Sequence, residues 1–502
     1  MSQYAIVCSA MAHMPEITHF KYWLYVFSVI SGILIGVAFT TPQLWWCAFP
    51  GVALFVYGIE SGKNLKSILL ASLITGTVKA GIALSWSFTA YPADWLGGPT
   101  VTQQIVLLGG TWLLSTLSVG LGFVFVGFLA FHIRHQRGIH KLFLYPLFFI
   151  LGDMLGALCF SIYTYGDGNP INAYFGFSML GYTLADHSIL KHIASLGGVY
   201  GLTYTLAFLS SALYIFVHRI EKYRTPALVA CVLLFYVSGL VPLTEKSEKE
   251  TIVAAITTNF QSSVSISKFE LAIRQKIVGG GIEVALARGA KTVLLPEDIR
   301  FGEGRSTAET LAVLKKLPHS QDAVIVDSAR IQLSPTTAVL RGFLYDIDGN
   351  STYTTDKQFV VPVGEYLPWI HKTAIALLGG LDYFEGMQYI GSVLEITSDA
   401  PLHVPNVLFC FESGIPNIAF RKTQERRSNL IVHPVSHGWF HTPRALWNEE
   451  RQMLVVQALH SQTPILQAGN NAPSVLYHAN GTVDTGTVIL HEQRMTVTLF
   501  KM

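Results

Sequence analysis

Apolar positions are laid out along this chain in two unlike ways. Between residues 22 and 243 they form long, nearly unbroken runs, and seven of these approach the about 20 residues needed to cross the hydrocarbon of a bilayer: 22–40, 43–60, 66–90, 104–133, 142–162, 194–217 and 226–243. From Thr251 onward the period changes. Short β-branched and aromatic runs at 252–257, 292–296, 322–327, 338–346, 358–362, 406–410, 430–435, 464–469, 474–478 and 487–491 read as strands, and longer patterns near 267–288, 308–316 and 446–460 read as helices. Asp348-Gly349 and Asn480-Gly481 are hairpin signals. The pattern predicts a polytopic α-helical membrane bundle (22–243) after an N-terminal segment (1–21). A separate α/β domain follows (250–502), a sandwich of two mainly antiparallel sheets with helices outside.

Composition sharpens this division. Only 13% of residues are charged, against roughly 25% in soluble proteins, and the deficit lies in the first half. The formal net charge of +2, with no basic stripe interleaved with aromatics, excludes nucleic acid as a partner. Five cysteines, at 8, 47, 159, 231 and 410, include no CxxC pair, so neither a zinc site nor a disulfide framework is expected. The start lacks the pattern of a cleaved signal peptide, which leaves the first span as an uncleaved signal. Loops two, four and six carry Lys63, Lys66, Arg134, Arg137, Lys141, Arg219, Lys222 and Arg224, whereas loops one, three and five carry only Lys191. That asymmetry puts the N-terminus in the cytoplasm and, across an odd number of spans, the α/β domain outside.

Candidate chemistry gathers in the second half. The apolar run Val407 to Phe409 delivers Cys410 to a sharp turn, where a helix N-terminus would favour the thiolate; alone, Cys410 reads rather as a small buried hydrophobe, the usual fate of a free cysteine. Two other strand ends change the balance, because Glu297 (TVLLPE) and Lys357 with Glu365 (TTDKQFVVPVGEY) put charge where a core strand stays apolar. Carboxylate, ammonium and thiol are the parts for nucleophilic acyl transfer: Glu297 as general base, Lys357 stabilising the oxyanion, Cys410 carrying the acyl group as a thioester. Their order and intervals, with Lys357 60 residues beyond Glu297 and Cys410 53 beyond Lys357, resemble the Glu-Lys-Cys triad of the nitrilase, or carbon-nitrogen hydrolase, superfamily. So do Leu295-Pro296-Glu297, the K-x-x-x-x-P-x-G-E-Y-x-P pattern from Lys357 to Pro368, and Cys410-Phe411-Glu412.

Membrane spans ahead of such a domain, with AGIALSWSF ending the third span and ASLGGVYGLTYTLAF (Ala194 to Phe208) opening the sixth, resemble the apolipoprotein N-acyltransferase family. The resemblance implies a nitrilase-like α-β-β-α domain and transfer of an acyl chain from a phospholipid, through the cysteine, to the α-amino group of a diacylglyceryl-cysteine lipoprotein. It implies no cofactor or metal, a monomer among membrane lipids, and residence in the bacterial inner membrane with the catalytic domain on the periplasmic side. It assigns supporting roles to Glu365, Phe411 and Glu412, and substrate contacts to Trp439 and Phe440. This chain departs from the pattern at Phe411, where the family often has Tyr, and at Ser436-His437, which replace Asn-Asp. The tryptophan expected after the first soluble strand is absent from Thr257–Ser267. In place of an eighth span the chain has Thr487 to Met502, which alternates like a strand. Two other classes remain open: a membrane-tethered amidase that hydrolyses its thioester, and a non-catalytic lipoprotein-binding homologue.

Two features of the membrane half stand outside this scheme. Lys79 lies within the third span, as a functional group or as a lysine that faces the bundle or snorkels. Trp86, Tyr91, Trp95, Tyr163 and Tyr165, in the outer loops, read mostly as an interfacial aromatic belt.

Overall fold

The computed structural model describes residues 20–93, 95, 99–136, 138–167, 169–217, 221–241, 250–261, 266–379 and 388–502. Residues 1–19 of the predicted cytoplasmic segment, Arg137, Arg219 and most of the tether between the two halves lie outside these. Among the described residues seven helices are long and apolar enough to span a membrane, which makes this a membrane protein. They are α1 (Phe20–Thr40), α2 (Ala48–Ser61), α3 (Leu65–Ala83), α4 (Gly110–Ile133), α5 (Gly138–Tyr163), α6 (Ala194–Val217) and α7 (Glu221–Leu240). A single 3-10 turn at Pro42–Cys47 enters α2, and another at Leu84–Ala90 extends α3 toward the soluble domain.

Small residues let these helices approach closely. At the α4–α5 crossing Gly122 and Gly152 face each other, and a methyl group on either would overlap the other's backbone. Leu113, Leu117 and Leu121 on α4, Leu147 and Leu151 on α5, and Leu228, Val232 and Leu233 on α7 point outward, the face a lipid tail would cover. Gly198 has another task than the helix packing its sequence suggests. It sits at a kink in α6 with φ of 56°, and a Cβ there would overlap the Asn417 side chain of the second domain. Only glycine both takes this backbone conformation readily and leaves that space.

The second domain alternates strands and helices: β1 (Ile252–Thr258), α8 (Lys268–Ala287), β2 (Thr292–Leu294), α9 (Thr307–Lys315), β3 (Val324–Ser334), β4 (Thr337–Asp346), β5 (Ser351–Asp356), α10 (Trp369–Ala376), β6 (Gln388–Tyr389), β7 (Asn406–Val407), α11 (Ile418–Glu425), β8 (Ile431–Ser436), α12 (Arg444–Ser461), β9 (Ile465–Asn470), β10 (Val475–Tyr477), β11 (Val483–Asp484), β12 (Thr487–Glu492) and β13 (Met495–Lys501). Alternate residues serve opposite faces. Ala254, Ile256, Val293 and Ile325 pack under α8 and α9. Val253, Ala255, Leu294, Val324 and Val326 meet Val432, Leu466, Ala468 and Leu476 from the β8–β9–β10 half. Ile431, Ile465 and Tyr477, on the other face of that half, lie in one apolar core with α12 and the bundle. This is the expected helix–sheet–sheet–helix sandwich, with the membrane bundle added beneath one outer layer.

The pairing is less antiparallel than the pattern suggests. β1–β2, β2–β3, β1–β9, β7–β8 and β8–β9 are parallel, because α8, α9, α11 and α12 carry the chain back across the sheet between them. The two halves join through β1 and β9 into one network. Two predicted strands are shorter or absent for a reason that matters to the site. Phe359–Val361 forms no ladder, since the amides of Gln358 and Phe359 donate to Glu412 and that of Val361 donates to Glu365. β7 stops after Val407, and the Phe409 amide also turns to Glu412. Thr487–Met502 folds as β12 and β13, with β13 antiparallel to β1.

Candidate active site

The nucleophile candidate sits at a conformation few residues adopt. Cys410 has φ of 23°, imposed between the end of β7 and a 3-10 turn over Cys410–Gly414. Glu412, fully buried, closes the turn: its own amide donates to the Phe409 carbonyl at 2.7 Å and its carboxylate accepts from the Phe409 amide at 2.9 Å. The other carboxylate oxygen accepts from the Gln358 amide at 2.7 Å. One side chain thereby joins the Cys410 turn to the residue after Lys357.

Lys357 is 1% exposed. Its ammonium donates to Glu297 at 3.0 Å and to Glu365 at 2.7 Å. Glu365 is fixed in turn by the Val361 amide, at 2.7 Å. Burial alone would lower the Lys357 pKa, but Glu297, Glu365 and Cys410 together hold it well above its ordinary value. Burial pushes the Glu297 carboxyl up, and Lys357 opposes this only in part. Burial also pushes the Cys410 thiol well above its ordinary value, aided by Glu297 and opposed by Lys357 and by a hydrogen bond from the Ser436 amide. The expectation of a thiolate stabilised by a helix dipole is therefore corrected: one short turn supplies too little dipole to offset desolvation. The thiol rests protonated beside a carboxylate able to take its proton, and the Lys357 ammonium and Ser436 amide are the donors available to an oxyanion.

The three groups open onto one large cleft, about 1230 Å³, whose remaining walls come from both halves of the chain. Phe411 stacks on Phe177 with centroids 5.7 Å apart, Trp439 meets Trp95 edge-on at 5.0 Å, and Phe440 meets Trp86 at 5.6 Å. Phe411, Trp439 and Phe440 thus line the cleft. The interfacial-belt reading is corrected for Trp86 and Trp95, which line it too, and for Tyr165, which packs on Trp369 of the soluble domain. Such aromatics face apolar surroundings at an interface within the protein just as they would at a lipid headgroup, so sequence alone does not separate the two.

Several residues at the site escaped the sequence reading. Glu450 lines the cleft and is gripped by His433 at 3.2 Å, Gln467 at 3.4 Å and His437 at 3.6 Å. Burial opposes its ionisation, yet the two histidines hold its pKa down near 2. Next to it, Glu449 points the other way and docks the bundle, accepting from the Trp86 indole at 3.2 Å and from the Ser178 amide. Burial pushes Glu449 up to about 7. Adjacent glutamates in an apolar helical pattern are the one signal that could have singled them out. Lys79 faces the bundle interior rather than snorkelling: it is fully buried, its ammonium 5.3 and 5.7 Å from the Phe123 and Phe39 ring centres, with Asp153 and Glu449 the nearby opposite charges. Among the described residues no cluster of His, Cys, Asp and Glu is arranged to hold a metal ion.

Similarities to known proteins run along most of the chain. Residues 31–212 match the family model described as the apolipoprotein N-acyltransferase N-terminal domain. Apolipoprotein N-acyltransferases from Geobacter metallireducens and Pasteurella multocida are each 22% identical, over 95% and 94% of this chain and 90% and 89% of their own length. The Haemophilus influenzae protein of that name is 23% identical over 92% of this chain and 86% of its own. An amidase from Nesterenkonia sp. superposes on 51% of this chain and 92% of its own, with 12% identity and a TM-score of 0.35. In its membrane half and along nine-tenths of its length, the chain resembles the apolipoprotein N-acyltransferases.

Proposed function

We propose that this protein is a phospholipid-dependent N-acyltransferase working by two displacements at Cys410. Glu297 takes the thiol proton as sulfur attacks the ester carbonyl of a phospholipid, and Lys357 with the Ser436 amide holds the oxyanion. The carbon–oxygen bond then breaks, Glu297 returns the proton to the departing lysophospholipid hydroxyl, and a thioester remains. The α-amino group of a diacylglyceryl-cysteine lipoprotein attacks the thioester next, losing a proton to Glu297, and the amide forms as the Cys410 thiol is restored. The domain faces the periplasm, and the enzyme acts as a monomer without cofactor or metal.

One observation carries this reading: the triad opens into a cleft whose far wall is the aromatic surface of the membrane bundle. A soluble amide would not need such a wall, whereas acyl chains leaving a bilayer would, since each buried methylene contributes about 0.8 kcal/mol. The same wall keeps water from the thioester, which favours aminolysis over hydrolysis. The test is incubation of purified protein with phospholipid carrying a labelled acyl chain and a synthetic diacylglyceryl-cysteinyl peptide. Label in an amide-linked product supports the reading; label released only as free fatty acid would replace it with hydrolysis.

A further inference from the structure

A second, smaller cleft of about 590 Å³ reaches the same catalytic carboxylates from another side. It shares Glu297, Gly364, Glu365, Ser436 and Trp439 with the large cleft. Its lining otherwise differs, for polar and apolar groups share it about equally. All its described walls belong to the soluble domain, with Gln261, Asp298 and Arg330 among them, and none comes from the bundle's aromatics. Glu297 therefore stands where an apolar space against the membrane meets a space of mixed polarity.

We propose that this second cleft holds the polypeptide that follows the acceptor's modified N-terminal cysteine. This rests on the acyltransferase reading and adds to it where the peptide runs. An acceptor that is lipid at one end and peptide at the other must place its amine at Cys410, and the two clefts meet at Glu297 and Ser436, the residues that flank that thiol. The cleft favours a neutral backbone over a phosphate. Arg274 is paired with Glu270 at 2.9 Å and Arg330 with Asp298 at 2.8 Å, while Glu297 and Glu365 add negative charge to the wall. One group awaits a partner: the buried Tyr389 hydroxyl, on a residue 7% exposed that lines the cleft, makes no hydrogen bond among the described residues. A buried hydroxyl without a partner is costly, and a peptide carbonyl or amide would satisfy it.

The test compares two acceptors on the full-length enzyme: a diacylglyceryl-cysteinyl pentapeptide and diacylglyceryl-cysteine amide, which lacks the peptide. Tyr389→Phe removes the hydroxyl, and Ile266→Trp adds bulk at another wall residue of the cleft. Formation of the acyl-enzyme from phospholipid is followed separately, and thermal unfolding in detergent reports folding. We expect each variant to raise KM for the lipopeptide about three- to tenfold, the equivalent of one lost hydrogen bond, with a less than twofold change for the peptide-free acceptor. Equal loss with both acceptors, or no loss with either, would overturn the proposal. Slower acyl-enzyme formation in both variants would assign the cleft to the donor headgroup and overturn it too. Failure of the unsubstituted enzyme to acylate either amine would instead refute the acyltransferase reading, and the cleft assignment would fall with it.

Discussion

Replacing Glu412 by Gln tests whether the active site is held together by one carboxylate. The side chain accepts from the Phe409 amide at 2.9 Å through one oxygen and from the Gln358 amide at 2.7 Å through the other. Burial pushes the carboxyl up, and the charge of Lys422 with these amide donors pulls it back. A glutamine keeps one acceptor oxygen but turns an NH₂ group toward the other amide. One charge-assisted hydrogen bond is lost and a buried donor is left facing a donor, a cost of about 2–4 kcal/mol. Either the Cys410 turn or the Lys357 segment must then shift, and a misplacement of about 1 Å can lower a catalytic rate by roughly 100-fold. Single-turnover formation of the acyl-enzyme should slow by that order, with little change in phospholipid KM, and thermal unfolding in detergent should begin at lower temperature. Wild-type rate and stability in Glu412→Gln would refute the clamp, because that result requires either a protonated carboxyl or a site positioned by other contacts.

Cys410→Ser should abolish transfer while leaving the protein folded, since a hydroxyl is a far weaker nucleophile; retained activity would remove Cys410 from the mechanism. Glu297→Gln should block the acyl-enzyme itself, because the thiol pKa is raised by burial and needs a base; an undiminished yield of acyl-enzyme would exclude Glu297. Steady-state rates with varied phospholipid and lipopeptide should give parallel double-reciprocal lines, whereas intersecting lines would mean that both lipids bind before chemistry. Glu449 has a folded pKa of about 7 against an ordinary 4.5. Burial disfavours its charge more than the Ser178, Trp86 and Lys79 contacts favour it, so the docked state is most stable below pH about 4.5 and loses stability as pH rises toward 7, by at most about 3 kcal/mol. Glu449→Gln should flatten that part of the pH dependence of thermal unfolding between pH 4.5 and 8, and an identical profile in the variant would refute the role of the carboxyl.

The candidate triad was legible in the sequence because Glu297 and Cys410 each end an apolar run, a placement that packing alone disfavours, and because Lys357 opens the K-x-x-x-x-P-x-G-E-Y-x-P pattern at a fitting interval between them. The spans were legible for the same reason in reverse, since little but lipid tolerates apolar runs of that length. The sheet was less so. β5, Ser351–Asp356, is polar at most positions and is a strand because the Asp348-Gly349 turn folds it back on β4. Phe359–Val361 has strand composition, yet its amides serve Glu412 and Glu365. Local pattern cannot reveal such long-range competition for a donor. Glu449 and Glu450 show the same limit, for two adjacent carboxylates on α12 take opposite tasks only once the bundle lies on one side and the histidines on the other.

The central claim is that Cys410 carries an acyl group drawn from a membrane phospholipid. Intact-mass measurement of the protein after incubation with phospholipid bearing a labelled acyl chain, without acceptor, tests it most directly. A mass increase of one labelled acyl group is expected, mapped to the peptide containing Cys410, removed by hydroxylamine and absent from Cys410→Ser. An unmodified mass, or an adduct that persists in Cys410→Ser, would contradict it.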